Sequence, residues 1–339
     1  MVTSMWNEVY VEKEIAENPR AVSILEKVKK SPILIDRYDE IWGRSKKPYL
    51  QKRDSLNLFL AKKNGQLLKE APDAYGTSDG NPHFYFIHAY NCIYECQYCY
   101  LQGYFNTPDI VLFINHEEIM EAMEAKLSEF PDKKVWFHAG EFSDSLALTH
   151  LTGELELYHD FCQRNPRAII ELRTKSVNTR ELEKLTPLPN LIVSFSLSPE
   201  SMARRVDLKT PSTKTRLLAM EKLKDQGHRI AAHFDPIVYE DKFKDRYQEL
   251  LSQMKEKDLT KNLEYLSLGV VRFTKDVYRE TERNYPDSLI HTGPMVKSFD
   301  GKVRYHRPMR MWIMNTVKEL SIQAEIESDR VYLCMEEDA

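Results

Sequence analysis

Residues 84–102 read Phe84-Tyr85-Phe86-Ile87-His88-Ala89-Tyr90-Asn91-Cys92-Ile93-Tyr94-Glu95-Cys96-Gln97-Tyr98-Cys99-Tyr100-Leu101-Gln102. Phe84–Tyr90 is apolar and rich in β-formers, which predicts a buried strand. Three cysteines spaced C-x3-C-x2-C follow at once, on the loop leaving that strand. Parallel α/β folds gather their reactive groups at this carboxyl edge. Further strands are predicted at Lys134–Gly140, Ala168–Thr174, Leu191–Leu197, Arg229–Pro236 and Leu263–Phe273. Between them, helical spacing predicts His116–Phe130, Leu157–Asn165, Asn178–Leu185, Lys214–Gln226 and Tyr247–Lys257. In the first of these helices Ile119, Met120, Met123 and Leu127 form one apolar face. Six strands alternating with helices imply parallel βαβ units. The strand count fits both a doubly wound sheet and a partial barrel.

The chain has 339 residues, 42% hydrophobic and 29% charged, a balance that belongs to folded globular proteins. That length suffices for a large core without disulfide staples. With 48 basic and 52 acidic residues the net charge is −4, so any nucleic-acid contact must come from local patches. The first thirty residues hold no apolar signal-peptide core, and no stretch approaches the ~20 apolar residues of a membrane span. A cytoplasmic protein without membrane attachment is expected. Residues 1–80 read as irregular and polar, with a basic run through Arg44, Lys46, Lys47, Lys52 and Arg53.

Three of the five cysteines fall within eight residues. In a reducing compartment, clustered thiols point to metal or catalysis before disulfides. Three thiolates cannot saturate a four-iron cluster, so one iron would stay open for a small molecule. A structural zinc is the alternative and needs a fourth ligand from His83, His88 or a distant cysteine. Plain buried thiols are the third reading.

The triplet after the first core strand resembles the signature of the radical S-adenosylmethionine (SAM) superfamily. Cys96-Gln97-Tyr98-Cys99-Tyr100-Leu101-Gln102 is similar to the cluster loop of the spore photoproduct lyase family. Val9-Tyr10-Val11-Glu12, Ser196, Arg272-Phe273-Thr274-Lys275, Asn284-Tyr285-Pro286 and Val331–Glu336 resemble further family landmarks, in order. The resemblance selects the fold: an α/β, TIM-like partial (β/α)6 barrel with N-terminal and C-terminal extensions. It divides the chain into an extension at 1–80, a barrel at 81–280 and a C-terminal region at 281–339.

The resemblance also implies roles. Cys92, Cys96 and Cys99 would hold a [4Fe-4S] cluster whose open iron binds SAM, yielding a 5′-deoxyadenosyl radical. Gly140 and Glu141 look like the segment that meets the SAM ammonium group, Lys175 like its carboxylate partner, and Ser196 and Ser198 like polar SAM contacts. Tyr98 and Tyr100 resemble the tyrosine pair assigned to hydrogen-atom return. One departure stands out: family members carry a donor cysteine after the second strand, and this chain has Glu141 there. A carboxylate cannot give a hydrogen atom, so Cys334 or Cys162 substitutes, a tyrosine serves directly, or the reaction differs; Cys334 is the expected cysteine.

The implied activity is a DNA repair lyase that reverts the spore photoproduct thymine dimer to two thymines. The same cofactor acting on another nucleic acid or a peptide is the alternative, and a non-catalytic zinc-stapled nucleic-acid-binding protein a second. The implied partners are UV-damaged DNA and a reductant such as flavodoxin or ferredoxin, with the enzyme a monomer. Asp300-Gly301 between alternating side chains predicts a hairpin. On it Lys302, Arg304 and Tyr305 are expected to hold substrate, with Phe299 or Tyr305 stacking where bases are displaced.

Overall fold

A computed structural model describes residues 5–72 and 80–336. Seven parallel strands form the main sheet: His83–Phe86, Val135–Ala139, Ala168–Thr174, Leu191–Ser196, Arg229–Ile237, Leu263–Val270 and Val331–Leu333. Each pairs with its predecessor in the chain. A doubly wound sheet reverses its strand order at a switch point; this one winds in a single direction, as a barrel does. Leu68–Glu70 adds an antiparallel edge beside His83–Phe86. Among the described residues the edge strands Leu68–Glu70 and Val331–Leu333 do not pair, so the barrel is open.

Alternation divides each strand between two environments. Outward residues such as Phe137, Ile170, Val193, Phe234 and Leu266 are buried against the helices. Those helices include His116–Glu129, Leu155–Arg164, Thr213–Asp225, Phe243–Glu256 and Arg307–Gln323. Inward residues are layered. Trp136, Ile169, Ile192, Ala231 and Tyr265 form an apolar floor. His138, Glu171, Ser194 and His233 form a polar layer two residues further along their strands. Beyond that lie Gly140, Arg173, Ser196 and Asp235 on the wall of an open cavity.

Three expectations change. Residues 1–80 are not irregular where described: Ile33–Ile35, Trp6–Glu12 and Leu56–Ala61 build a parallel sheet with Ile110–Phe113, closed by Ala89–Tyr90. Trp6, Val9, Val11, Leu56, Leu58 and Leu60 are buried there, in runs too short to stand out among charged neighbours. The seventh parallel strand, Val331–Leu333, is three residues long and is not among the six predicted strands. The helix predicted at Asn178–Leu185 shrinks to a single turn, Leu182–Lys184. Asn178 spends its side chain on Leu146 O (2.9 Å) and Thr149 (3.2 Å), and Pro187 and Pro189 bar extension.

Among the described residues, no helix is long and apolar enough to cross a membrane.

Candidate active site

At the carboxyl ends of the strands lies a cavity of about 650 Å³, lined among others by Cys92, Cys96, Cys99, Glu141 and Lys175. The thiols reach it because their loop is fastened on both sides. Asn91 adopts a left-handed conformation (φ 64°), and its amide donates to Thr107 O and Asp109 O at 2.7 and 2.8 Å. Glu95–Cys96 pairs antiparallel with Asp207–Leu208. The Gln102 amide donates to Cys96 O (3.1 Å) and Gln97 O (2.9 Å). A two-strand staple and side-chain braces thus hold a loop that has little regular structure of its own.

Burial pushes all three thiols up, and Lys175 opposes it at Cys96 and Cys99. Among the described residues, no three acid, histidine or cysteine side chains converge on one point as ligands of a single ion do. The thiols instead share the wall of a cavity large enough for a multinuclear centre and a small molecule.

Gly140 and Glu141 border the same space. Gly140 sits at φ +96°, and a Cβ there would lie 2.8 Å from Ser145 Oγ and 3.1 Å from Arg173 O, so only glycine makes this turn. Asp144, which sequence reasoning missed, organises the rim. Its carboxylate accepts from Thr174 Oγ1 (2.7 Å) and from the backbone N–H of Lys175 (2.7 Å), Leu146 (3.0 Å) and Ala147 (2.9 Å). Lys175 is thereby held with Nζ 5.4 Å from the Tyr98 ring centroid.

Tyr98 donates to the Asp207 carboxylate, which also pairs with Arg216 at 3.1 Å; both side chains of that pair are fully buried. Arg216 in turn donates to Ser196 O at 2.9 Å, so the serine on the cavity wall and the tyrosine beside the cysteines share one anchor. Tyr100 donates to Glu141 O, joining the cysteine loop to the end of the second parallel strand. Burial raises the Glu141 carboxyl, opposed chiefly by Arg173 and then Lys69.

Four expected site residues are placed elsewhere. Ser198 is buried off the cavity, its carbonyl accepting from Thr213. Tyr305 is 0% exposed in the core, where its hydroxyl accepts from Tyr239 N (3.2 Å); it offers no ring to a base. Arg304 is buried and pairs with Asp300 (3.0 Å) and Glu336 (3.1 Å) rather than pointing outward. Cys334 stands behind Arg272, whose guanidinium lies 3.6 Å from its sulfur.

The hairpin itself forms, Met295–Lys297 against Val303–Tyr305, with Arg272–Phe273 as a third strand. Phe299 stands fully exposed at its tip, and Lys302 reaches the cavity wall. In the basic run, Lys47 and Arg53 neutralise the buried carboxylate of Asp109 at 2.6 and 2.8 Å, which removes them as phosphate ligands.

Arg272 forms a two-pronged pair with Asp235, 2.9 Å on each side, in the upper part of the cavity. Gly269 makes room for it: a Cβ would meet Asp235 Cγ at 2.6 Å. Gly269→Ala is therefore expected to displace this pair and lower stability by about 1–3 kcal/mol. A urea midpoint equal to that of the native protein would contradict the placement.

Burial also depresses two histidines, His88 to about 4 and His233 to about 4. Above pH 6.5 both are neutral folded or unfolded, and their contribution is complete. Between pH 6.5 and 4 the unfolded chain takes up protons that the fold refuses, so stability falls as pH drops. Urea unfolding at pH 7 and pH 5 checks this; equal midpoints would contradict it.

The spore photoproduct lyase family model matches residues 5–298. A curated spore photoproduct lyase from Clostridium acetobutylicum is 20% identical over 302 residues, 87% of each chain. Those from Geobacillus sp. and Bacillus subtilis are 24% and 23% identical over 205 and 206 residues, and the match spans 60% of each of their lengths. A solved spore photoproduct lyase complexed with dinucleoside spore photoproduct has a TM-score of 0.81 at 20% identity, covering 98% of both chains. A variant with bound AdoMet and dinucleoside spore photoproduct has a TM-score of 0.79 at 18% identity, covering 98% of this chain and 100% of that one. With its one-directional open barrel and its cysteine triplet at the carboxyl edge, the chain belongs to the spore photoproduct lyase family of the radical SAM superfamily.

Proposed function

We propose that this chain is a radical SAM lyase that reverts the spore photoproduct dimer in DNA to two thymines. The observation that carries the reading is a single cavity walled by all three cysteines, Gly140-Glu141, Lys175 and Ser196, in a chain of this family. Cys92, Cys96 and Cys99 would hold the [4Fe-4S] cluster, with one iron left to SAM. Together, when bound, the two supply the 5′-deoxyadenosyl radical that takes a hydrogen atom from the dimer. Gly140 admits the cofactor to the backbone, Glu141 accepts from its ammonium group, and Lys175 meets its carboxylate. Lys302 and the exposed Phe299 are the hairpin side chains available to DNA.

Hydrogen return falls to the tyrosines. Glu141 replaces the usual donor cysteine, and Cys334 lies behind Arg272, whereas Tyr98 and Tyr100 are on the cavity wall. Their hydroxyls are pre-oriented by Asp207 and by Glu141 O. The enzyme works as a monomer in the reducing cytoplasm, supplied by a flavodoxin or ferredoxin. Glu141 also favours a second reading, the same cofactor acting on another nucleic acid or a peptide.

Two measurements test this. The anaerobically reconstituted protein should hold about four irons and form 5′-deoxyadenosine from SAM with dithionite. Zinc in place of iron, with no product, would mean a non-catalytic metal-stapled protein. Tyr100→Phe should retain SAM cleavage but lose restored thymine; undiminished repair would remove Tyr100 from hydrogen return.

A further inference from the structure

A second cavity, about 360 Å³, opens on the other side of the cysteine loop. Its wall carries Lys46, Lys47, Lys52 and Arg283 against a single carboxylate, Glu280. Lys46 and Arg283 both lean on Glu280, and Lys47 is held by buried Asp109. Lys52 is exposed and makes no ion pair among the described residues. The groove thus keeps a positive excess on a protein whose net charge is −4.

Its position is informative. The short helix Leu101–Tyr104 and the helix Lys275–Asn284 pack face to face, so closely that a Cβ on Gly103 would lie 2.9 Å from Val277 Cα. Leu101, Gly103, Tyr104 and Val277 face the cysteine cavity, whereas Gln102, Phe105, Glu280 and Asn284 face the basic groove. This helix pair is a wall, and the groove is behind the cluster site rather than at the mouth where a dimer enters. Tyr49 bridges the two. It lines the groove and packs against the same apolar group as Ile93 and Tyr94 of the cysteine loop.

We propose that this groove is the docking surface for an acidic one-electron carrier protein, which reduces the cluster from behind, past Tyr49, while substrate occupies the front. The inference rests on the cluster reading above. One electron leaves the reduced carrier and enters the cluster; no bond forms or breaks and no proton moves. Charge complementarity steers the encounter, and separate faces let the carrier and the DNA bind together.

The test uses the full reconstituted chain and its Lys46→Glu/Lys52→Glu variant, both positions exposed. Cluster reduction is followed anaerobically with photoreduced flavodoxin, and separately with dithionite, which needs no docking surface. The expected result is a fall of about tenfold or more in the flavodoxin-driven rate at low salt, with a weaker salt dependence and an unchanged dithionite rate. An unchanged flavodoxin rate overturns the proposal. So does loss of affinity for undamaged duplex DNA with the flavodoxin rate intact, which would make the groove a phosphate surface. Failure of dithionite to reduce even the native chain would instead defeat the cluster reading.

Discussion

Alanine in place of Cys92, Cys96 or Cys99, one at a time, is expected to abolish both the visible absorption of the reconstituted protein and SAM cleavage. A site-differentiated four-iron cluster has three protein ligands and no spare. Neither remaining cysteine can substitute. Cys162 is buried on the outer helix Leu155–Arg164, its sulfur 3.6 Å from Asn190 O, and Cys334 is held behind Arg272. The fold should persist, because the triplet sits on a braced loop outside the main core. Circular dichroism alongside the visible spectrum separates loss of cluster from loss of fold. A brown, SAM-cleaving variant at any of the three positions would contradict the ligand assignment.

The second large effect is on stability, at Glu171. This carboxylate is 0% exposed inside the barrel and accepts from Ser194 (2.5 Å), Tyr265 (2.6 Å), His233 (2.8 Å) and His138, with Arg173 at 3.4 Å. Burial opposes its charge, but Arg173, His138 and His233 outweigh that and hold the carboxyl well below its ordinary range. Glu171→Leu leaves four buried donors without this acceptor and removes the carboxylate that pairs with Arg173. Breaking a buried ionic network by removing one partner costs about 3–5 kcal/mol, against a total stability of about 5–15 kcal/mol. Urea unfolding should show a large fall in midpoint, with Glu171→Gln milder because it keeps an acceptor oxygen. A Glu171→Leu protein as stable as the native chain would mean that the polar layer does not hold the barrel together.

These two sites differ in how visible they were beforehand. The triplet is local, so its spacing alone announces metal chemistry. The strands from Val135 to Val270 were also legible, because buried parallel strands are long apolar runs bounded by charged helices. Glu171 and Arg173 were harder to read. Each is a charged residue at an inward position of an otherwise apolar strand, and alternation could have marked them as barrel-lining. Asp144 gave no signal, since three of its four partners are backbone N–H groups supplied by two turns.

The hairpin shows the limit from the other side. Asp300-Gly301 correctly announced the turn, with Gly301 at φ +79°. Which side chains face outward depends on the third strand, Arg272–Phe273, and on Glu336, more than thirty residues away. That long-range packing buries Tyr305 and Arg304 and leaves Phe299 exposed and Lys302 on the cavity wall. The N-terminal sheet was missed for a similar reason: its strands are short and mixed with charge, and they find partners at Ile110–Phe113, far along the chain.

The most direct test of the central claim is anaerobic turnover. The reconstituted protein, reduced with dithionite and given SAM, is mixed with an oligonucleotide holding one spore photoproduct. 5′-Deoxyadenosine and restored thymine are then followed by mass spectrometry. The account predicts that both appear and that both vanish in Cys96→Ala. 5′-Deoxyadenosine without restored thymine would contradict it and move the same chemistry, with Glu141 in place of the donor cysteine, to another substrate.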